Sequence, residues 1–220
     1  LNKVSCKTLI TAASFKSSDY IAMLKEIAPE IDNCDAGSLN AKRLPHLKTI
    51  IQIGDDTAQG LFAFDDIAAK AGEADRQRLA DLAGELQFDD PINIQFTSGT
   101  TGFPKGATLT HFNILNNGFF VGEAMKLDET DRLCIPVPLY HCFGMVLGNL
   151  ACVTHGAAII YPDEAFEPLS VLETVQAEKC TGLHGVPTMF IAELDHPQFA
   201  DFDLGSLRTG IMAGSPCPIE

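Results

Sequence analysis

The chain has 220 residues, 46% hydrophobic and 20% charged, a composition that excludes a disordered chain and can fill a core without disulfides or a structural metal. Fifteen Lys and Arg against 29 Asp and Glu give a formal net charge of −14, which argues against a surface built to bind nucleic acid. No apolar run approaches the ~20 residues of a membrane-spanning helix, and the amino end, Leu1-Asn2-Lys3-Val4-Ser5-Cys6, has no long apolar segment followed by a signal-peptide cleavage site.

In chain order, Cys6 to Thr11 reads as a short strand. Asp19 to Ile27 has apolar residues at helical spacing, with Ser17 and Ser18 as caps and Pro29 beyond its end. Leu47 to Ile53 is a second strand, and the Ala-rich, charged stretch Ala68 to Leu86 is a surface helix with Leu79, Leu82 and Leu86 in phase. Ile92 to Phe96 reads as a buried strand that runs into a loop dense in Gly, Ser and Thr. A helix follows at Phe112 to Met125, a strand at Arg132 to Val137, and an apolar helix near Gly144 to Val153. Strands at Ala157–Tyr161, Thr181–Gly185 and Ser206–Ala213 then alternate with helices at Pro168–Glu178 and Pro187–Leu194. This alternation predicts an α/β fold, largely parallel sheets covered by helices. The chain lacks an initiator Met and stops just after its last strand, so it reads as a piece of a longer protein.

The seven cysteines are scattered and form no Cys-x-x-Cys pair, which predicts reduced thiols in a cytoplasmic protein. The six histidines form no His-Glu-x-x-His and no close set with cysteine, so no metal held by protein ligands alone is expected.

The segment Phe96-Thr97-Ser98-Gly99-Thr100-Thr101-Gly102-Phe103-Pro104-Lys105-Gly106 carries the most chemistry. Its glycines let the backbone turn tightly and approach a ligand, and successive N–H groups can line one anion-binding concavity. Thr97, Ser98, Thr100 and Thr101 add hydroxyl donors, and Lys105 adds a full charge. The pattern is not the P-loop of nucleoside triphosphatases, which needs Gly-Lys-Ser/Thr four residues after its first Gly. A plain Gly/Thr-rich surface turn is the bland reading.

Thr-Ser-Gly-Thr-Thr-Gly-x-Pro-Lys-Gly resembles the signature loop of the adenylate-forming superfamily: acyl-CoA synthetases, luciferases and the adenylation domains of peptide synthetases. The flanks Asp90–Phe96 and Ala107–Asn113 are similar to fatty-acyl-CoA synthetases of the medium-chain type, and the similarity extends over most of the chain. The resemblance implies that Thr97, Ser98, Gly99, Thr100, Thr101, Gly102 and Lys105 hold the β- and γ-phosphates of ATP. Pro138-Leu139-Tyr140-His141-Cys142-Phe143-Gly144 resembles the family's next core motif, whose His lies against the acyl and carboxylate site. On that basis His141 is the candidate catalytic and substrate-binding residue; a hydrogen-bonded core histidine is the alternative.

Gly185-Val186-Pro187-Thr188-Met189-Phe190 resembles the family's acyl-pocket segment, which implies that Gly185, Val186 and Pro187 touch substrate; it also reads as a helix start with Pro at the first position. Ala213-Gly214-Ser215-Pro216 is similar to the turn beside the adenine, which assigns Gly214, Ser215 and Pro216 to the nucleotide, with a plain strand-end turn as the other reading. His111, His155, His184 and His196 are taken as structural or surface residues.

Ten of the 15 cations lie at or before Arg78, and after Arg132 only Lys179 and Arg208 remain. The departing pyrophosphate needs more positive charge than Lys105 supplies. Relatives carry a Tyr-Gly-x-Thr-Glu motif whose Glu helps place Mg²⁺, an Asp for the ribose, and a small C-terminal domain with a catalytic Lys, none of which falls within these residues. The resemblance therefore implies the central portion of a large N-terminal AMP-binding domain, without the small C-terminal domain and inactive by itself. The intact protein would convert a fatty acid, ATP and coenzyme A to an acyl-CoA through an acyl-adenylate, with small molecules as its partners. An amino-acid- or aryl-acid-adenylating domain, or a non-catalytic nucleotide-binding protein, stands beside that reading.

Overall fold

A computed structural model describes residues 1–97 and 102–217. The chain divides into two compact units, Leu1–Glu85 and Leu86–Glu220.

In the first unit, β1 (Thr8–Ala12), β4 (Thr49–Ile53) and β5 (Phe62–Ala63) form a parallel sheet in the order β1-β4-β5, given that β2 (Ser14–Phe15) and β3 (Ser18–Asp19) pair with each other as an antiparallel hairpin. The hairpin takes Ser18 into a strand, so the helix α1 (Tyr20–Ile27) is capped by Asp19 rather than by Ser17 or Ser18. The Asp19 carboxylate accepts the Ala22 N–H at 2.8 Å, satisfying a donor the first helical turn leaves free. Leu24, Ala28, Ile31, Leu39, Leu44, Leu47 and Ile50 make the core. Gln52 is buried at the edge of that core, where its amide donates to the Asp56 carbonyl and accepts from the Ala58 N–H. The surface helix expected over residues 68–86 is broken into α2 (Ile67–Lys70) and α3 (Glu73–Glu85). The break falls at Ala71-Gly72, where the Asp75 carboxylate accepts the Gly72 N–H and starts a new helix. No residue of α3 is buried, as a solvated helix requires.

The second unit opens with an antiparallel hairpin of β6 (Pro91–Thr97) and β7 (Lys105–Thr110). Two expectations fail here. Lys105–Thr110 is a strand where only loop was expected. β6 is not buried: among the described residues it pairs only with β7, and Ile92, Ile94 and Phe96 remain 43%, 44% and 46% exposed while Asn93 and Gln95 take the half-buried side. Helix α4 (His111–Met125) follows at once, with Thr110 and Asn113 forming a reciprocal capping box.

The remaining strands, β8 (Arg132–Cys134), β9 (Ala158–Ile160), β10 (Gly182–Gly185) and β11 (Thr209–Met212), form one parallel sheet in the order β11-β10-β8-β9. Between β8 and β9 the chain makes a π-helix, Phe143–Leu150, that passes into α5 (Ala151–His155). The expected apolar helix near 144–153 is thus present in a wider form. Helices α6 (Pro168–Glu178) and α7 (Pro187–Leu194) have the bounds their sequence predicts, because Pro168 and Pro187 fix the first turn of each.

Side-chain alternation along the strands builds a core on each face. Leu133, Ile135, Val137 and Phe143 pack with Met125, Ala151 and Cys152 on one face; Cys134, Leu183 and Cys180 pack with Val171 and Val175 on the other. Helix α4 crosses close to the π-helix because Gly118 has no side chain: a Cβ there would come within 2.6 Å of the Leu150 Cβ. Buried Asp131 ties the starts of the three adjacent strands together, accepting from Thr181 Oγ1 at 2.5 Å, from the Arg208 guanidinium and from the Asp128 N–H. Burial works to raise the Asp131 carboxyl, but the bonds from Thr181 and Arg208 outweigh it and hold the group below the ordinary carboxylate value.

Candidate active site

Three groups of residues were expected to meet ligand, and each sits at strand ends. The first stands at the tip of the β6–β7 hairpin. Thr97 ends β6, Lys105 opens β7, and the two are register partners, with Thr97 Oγ1 donating to the Lys105 carbonyl at 3.5 Å. Ser98, Gly99, Thr100 and Thr101 lie outside the described residues. Gly102 has φ +148°, a conformation L side chains rarely adopt, and Phe103 beside it is 91% exposed. Because both neighbours are strands, a phosphate held by this loop gains nothing from a helix dipole. Its N–H groups, hydroxyls and the Lys105 ammonium would do the work.

The second group follows β8. The chain leaves the sheet through Ile135 and Val137, turns at Pro138, and presents His141 at the surface, one residue before the N-cap of the π-helix. Gly144 lies so close to the Pro138 carbonyl that a Cβ would come to 2.5 Å of it. This close approach folds the π-helix back on its own lead-in and holds the His141 backbone, whose N–H donates to the Pro138 carbonyl and whose carbonyl accepts the Met145 N–H. The Phe143 N–H donates to His141 Nδ1 at 3.1 Å, and the Cys142 thiol lies 3.7 Å from the same nitrogen. An Nδ1 that accepts carries no proton, so the neutral ring keeps its proton on Nε2 as a hydrogen-bond donor.

The third group occupies the turns after β10 and β11. Gly185 ends β10 and is buried, Val186 is the N-cap of α7, and Pro187 is its first residue and also buried. The Ala213 N–H donates to the Gly185 carbonyl at 3.2 Å, so the two turns begin joined. Gly214 then adopts φ +95° against Val186, whose Cγ1 a Cβ would meet at 3.1 Å. Ser215 and Pro216 continue outward, exposed.

Val137 and Phe143, on either side of His141, share one core cluster with Val186 and Ala213. The structure therefore brings the second and third groups together, past the carboxyl ends of three adjacent parallel strands, where open α/β sheets bind their ligands. The first group stands on its own hairpin. His184, expected to be a structural or surface residue, is fully buried beneath the motif that holds His141. Its one sequence signal is alternation in β10, which puts it on the face of Gly182.

The parallel sheets with helices packed against them match the fold of solved enzymes. An anthranilate CoA ligase, AuaEII, solved with anthranoyl-AMP superposes with a TM-score of 0.73 over 97% of this chain and 37% of its own, at 24% identity. A red-emitting luciferase from Phrixothrix hirtus superposes at 0.68, over 98% and 38%, at 19% identity. The chain belongs to the AMP-binding enzyme family, whose model matches residues 1–220. It is 50% identical over 220 residues to a putative acyl-CoA synthetase, YngI, of Bacillus subtilis (strain 168), and 44% identical over 227 residues to the human mitochondrial medium-chain acyl-CoA ligase ACSF2. All of this chain is matched in both, but only 40% and 36% of those proteins, so it spans well under half the length of these relatives.

Proposed function

We propose that the chain is the central portion of the large N-terminal domain of an AMP-forming acid–CoA ligase that activates a fatty acid, of medium chain length. A carboxylate oxygen attacks the α-phosphorus of ATP, the bond to the β-phosphate oxygen breaks, and pyrophosphate leaves. The sulfur of coenzyme A then attacks the acyl carbon, AMP leaves, and the thiol proton passes to solvent. The nucleophile of the first step is already ionised at neutral pH, so alignment and charge stabilisation matter more than a general base.

On this reading the segment from Thr97 to Lys105 orients the leaving phosphates. His141 donates from Nε2 to the carboxylate, the Gly185–Pro187 turn walls the acyl group, and Gly214, Ser215 and Pro216 pass beside the adenine. The observation that carries it is the bond from the Phe143 N–H to His141 Nδ1, which leaves an exposed, oriented donor past the strand ends. Among the described residues no group of three or more His, Cys, Asp or Glu side chains could hold a metal by protein ligands alone, so the Mg²⁺ of the reaction would be carried mainly by the phosphates of ATP. Seven free thiols fit a reducing compartment such as the cytoplasm.

Pyrophosphate exchange by the full-length protein with octanoate, benzoates and free amino acids tests the reading. Exchange led by octanoate supports it, and exchange led by an amino acid or an aryl acid overturns the substrate class.

A further inference from the structure

His184 is one of four buried polar or charged residues in the described chain, and its imidazole uses both nitrogens. The Ile211 N–H of β11 donates to Nδ1 at 3.2 Å, which leaves the proton on Nε2, and Nε2–H donates to the Leu147 carbonyl inside the π-helix at 3.0 Å. The ring also rests on Phe143, centroid to centroid 5.2 Å at 41°. Phe143 supplies the N–H that orients His141. One buried side chain thus contacts the strand that runs into Gly214, the π-helix that His141 precedes, and the residue that sets the His141 tautomer.

We propose that His184 is a positioning residue for acyl-adenylate formation, clamping the π-helix to β11 so that His141 and the Gly214 turn keep one relative placement. The inference rests on the roles proposed above for His141 and Gly214. An apolar residue would fill the same space without the desolvation cost of an imidazole. Only a side chain with an acceptor on one side and a donor on the other can tie a sheet N–H to a helix carbonyl, and a fully satisfied pair of this kind fixes an arrangement as well as stabilising it. The π-helix needs such a tie because its geometry is rarer and looser than that of an α-helix.

The test is pyrophosphate exchange by the full-length ligase with His184→Leu, His184→Gln and His184→Asn, each also combined with His141→Ala. His184→Leu should lower the exchange rate about five- to tenfold with little change in the KM for ATP, the size expected for one neutral hydrogen bond transmitted to the reacting geometry. In the His141→Ala background the same change should have almost no further effect, because its action runs through His141. His184→Gln places an amide N–H near the position of Nε2 and should restore most of the rate, whereas His184→Asn, which cannot reach Leu147, should not. Equal rates for the Gln and Asn variants, or a His184→Leu loss that persists undiminished without His141, overturn the proposal. If His184→Leu does not fold, the Gln and Asn pair decides by the same criterion. A neutral His141→Ala would instead overturn the role of His141 itself.

Discussion

The β6–β7 hairpin and the parallel sheet of the second unit both end in ligand-type residues, but they support them differently. The hairpin holds its loop by its own ladder from Pro91↔Thr110 to Thr97↔Lys105, and the apolar residues of β6 stay about half exposed. The sheet carries His141 on residues packed from both faces, with Leu133 and Cys134 fully buried and helices beyond each. In the hairpin the proposed chemistry would belong to the loop residues themselves. In the sheet His141 is held by neighbours: a backbone N–H two residues away and, behind it, the His184 ring on Phe143.

The largest expected effect is the loss of turnover when the chain is assayed by itself. The 220-residue chain alone should form no acyl-CoA from octanoate, ATP and coenzyme A, because Lys105 is the one cation in the segment proposed to hold the departing phosphates. Turnover above background would contradict that.

The two supports should also differ in how they tolerate truncation. Leu133→Ala removes a fully buried side chain under two packed layers and should cost about 2–5 kcal/mol in chemical denaturation. Ile94→Ala in the same chain should cost less than about 1 kcal/mol, because much of that side chain already meets water. Equal losses would mean that the hairpin is packed as tightly as the sheet.

A third probe lies on the α7 side of the sheet. Glu193 is 4% exposed, its Oε1 has no hydrogen-bond partner, and burial pushes its carboxyl up to about 7. The folded state therefore holds a proton that the unfolded state, near 4.5, has already released. Its contribution is fully present below about pH 4.5 and is lost as pH rises through about 7. Glu193→Gln should remove that loss and raise stability at pH 8 on the order of 2–3 kcal/mol, while changing little at pH 4.5. Thermal melts at the two pH values check this, and an unchanged difference between them would place the carboxylate in water.

The smallest effect expected is nucleotide binding to the chain alone. ATP should shift amide NMR signals from Thr97 to Gly106 weakly, and adenosine should not, since phosphate is what the loop recognises. Shifts of equal size from adenosine, or shifts clustered elsewhere, would end the phosphate-cradle reading.

What could be read in the sequence follows from the same contrast. The segment from Thr97 to Lys105 stands out in the sequence because its residue types are local: glycines, hydroxyls and a lysine in one string. The α6 and α7 boundaries were legible because a proline marks the first turn of each. The strand Lys105–Thr110 was not, since Lys-Gly-Ala-Thr-Leu-Thr lacks clean alternation and its pairing comes from β6. The apolar run of β6 suggested burial, but a run of that kind says nothing of which layer covers it. The π-helix has no sequence signal of its own; it packs Gly144 against Pro138 and takes a hydrogen bond from His184 at the Leu147 carbonyl. The contact of His184 with β11 needed the register that places it opposite Ile211.

Hairpin and sheet are proposed to serve different substrates of one reaction, and pyrophosphate exchange by the full-length ligase tests this most directly. Lys105→Ala and His141→Ala would each be measured across a series of short and medium acyl chains and a range of ATP concentrations. His141→Ala should slow exchange by roughly one to two orders of magnitude, the worth of a hydrogen bond to a charged group at ~1.5–3 kcal/mol, with a loss that varies with the acid. Lys105→Ala should weaken the use of ATP equally whatever acid is offered. Unchanged kinetics in His141→Ala with every acid, or an identical dependence on acid and nucleotide in the two variants, would contradict the account.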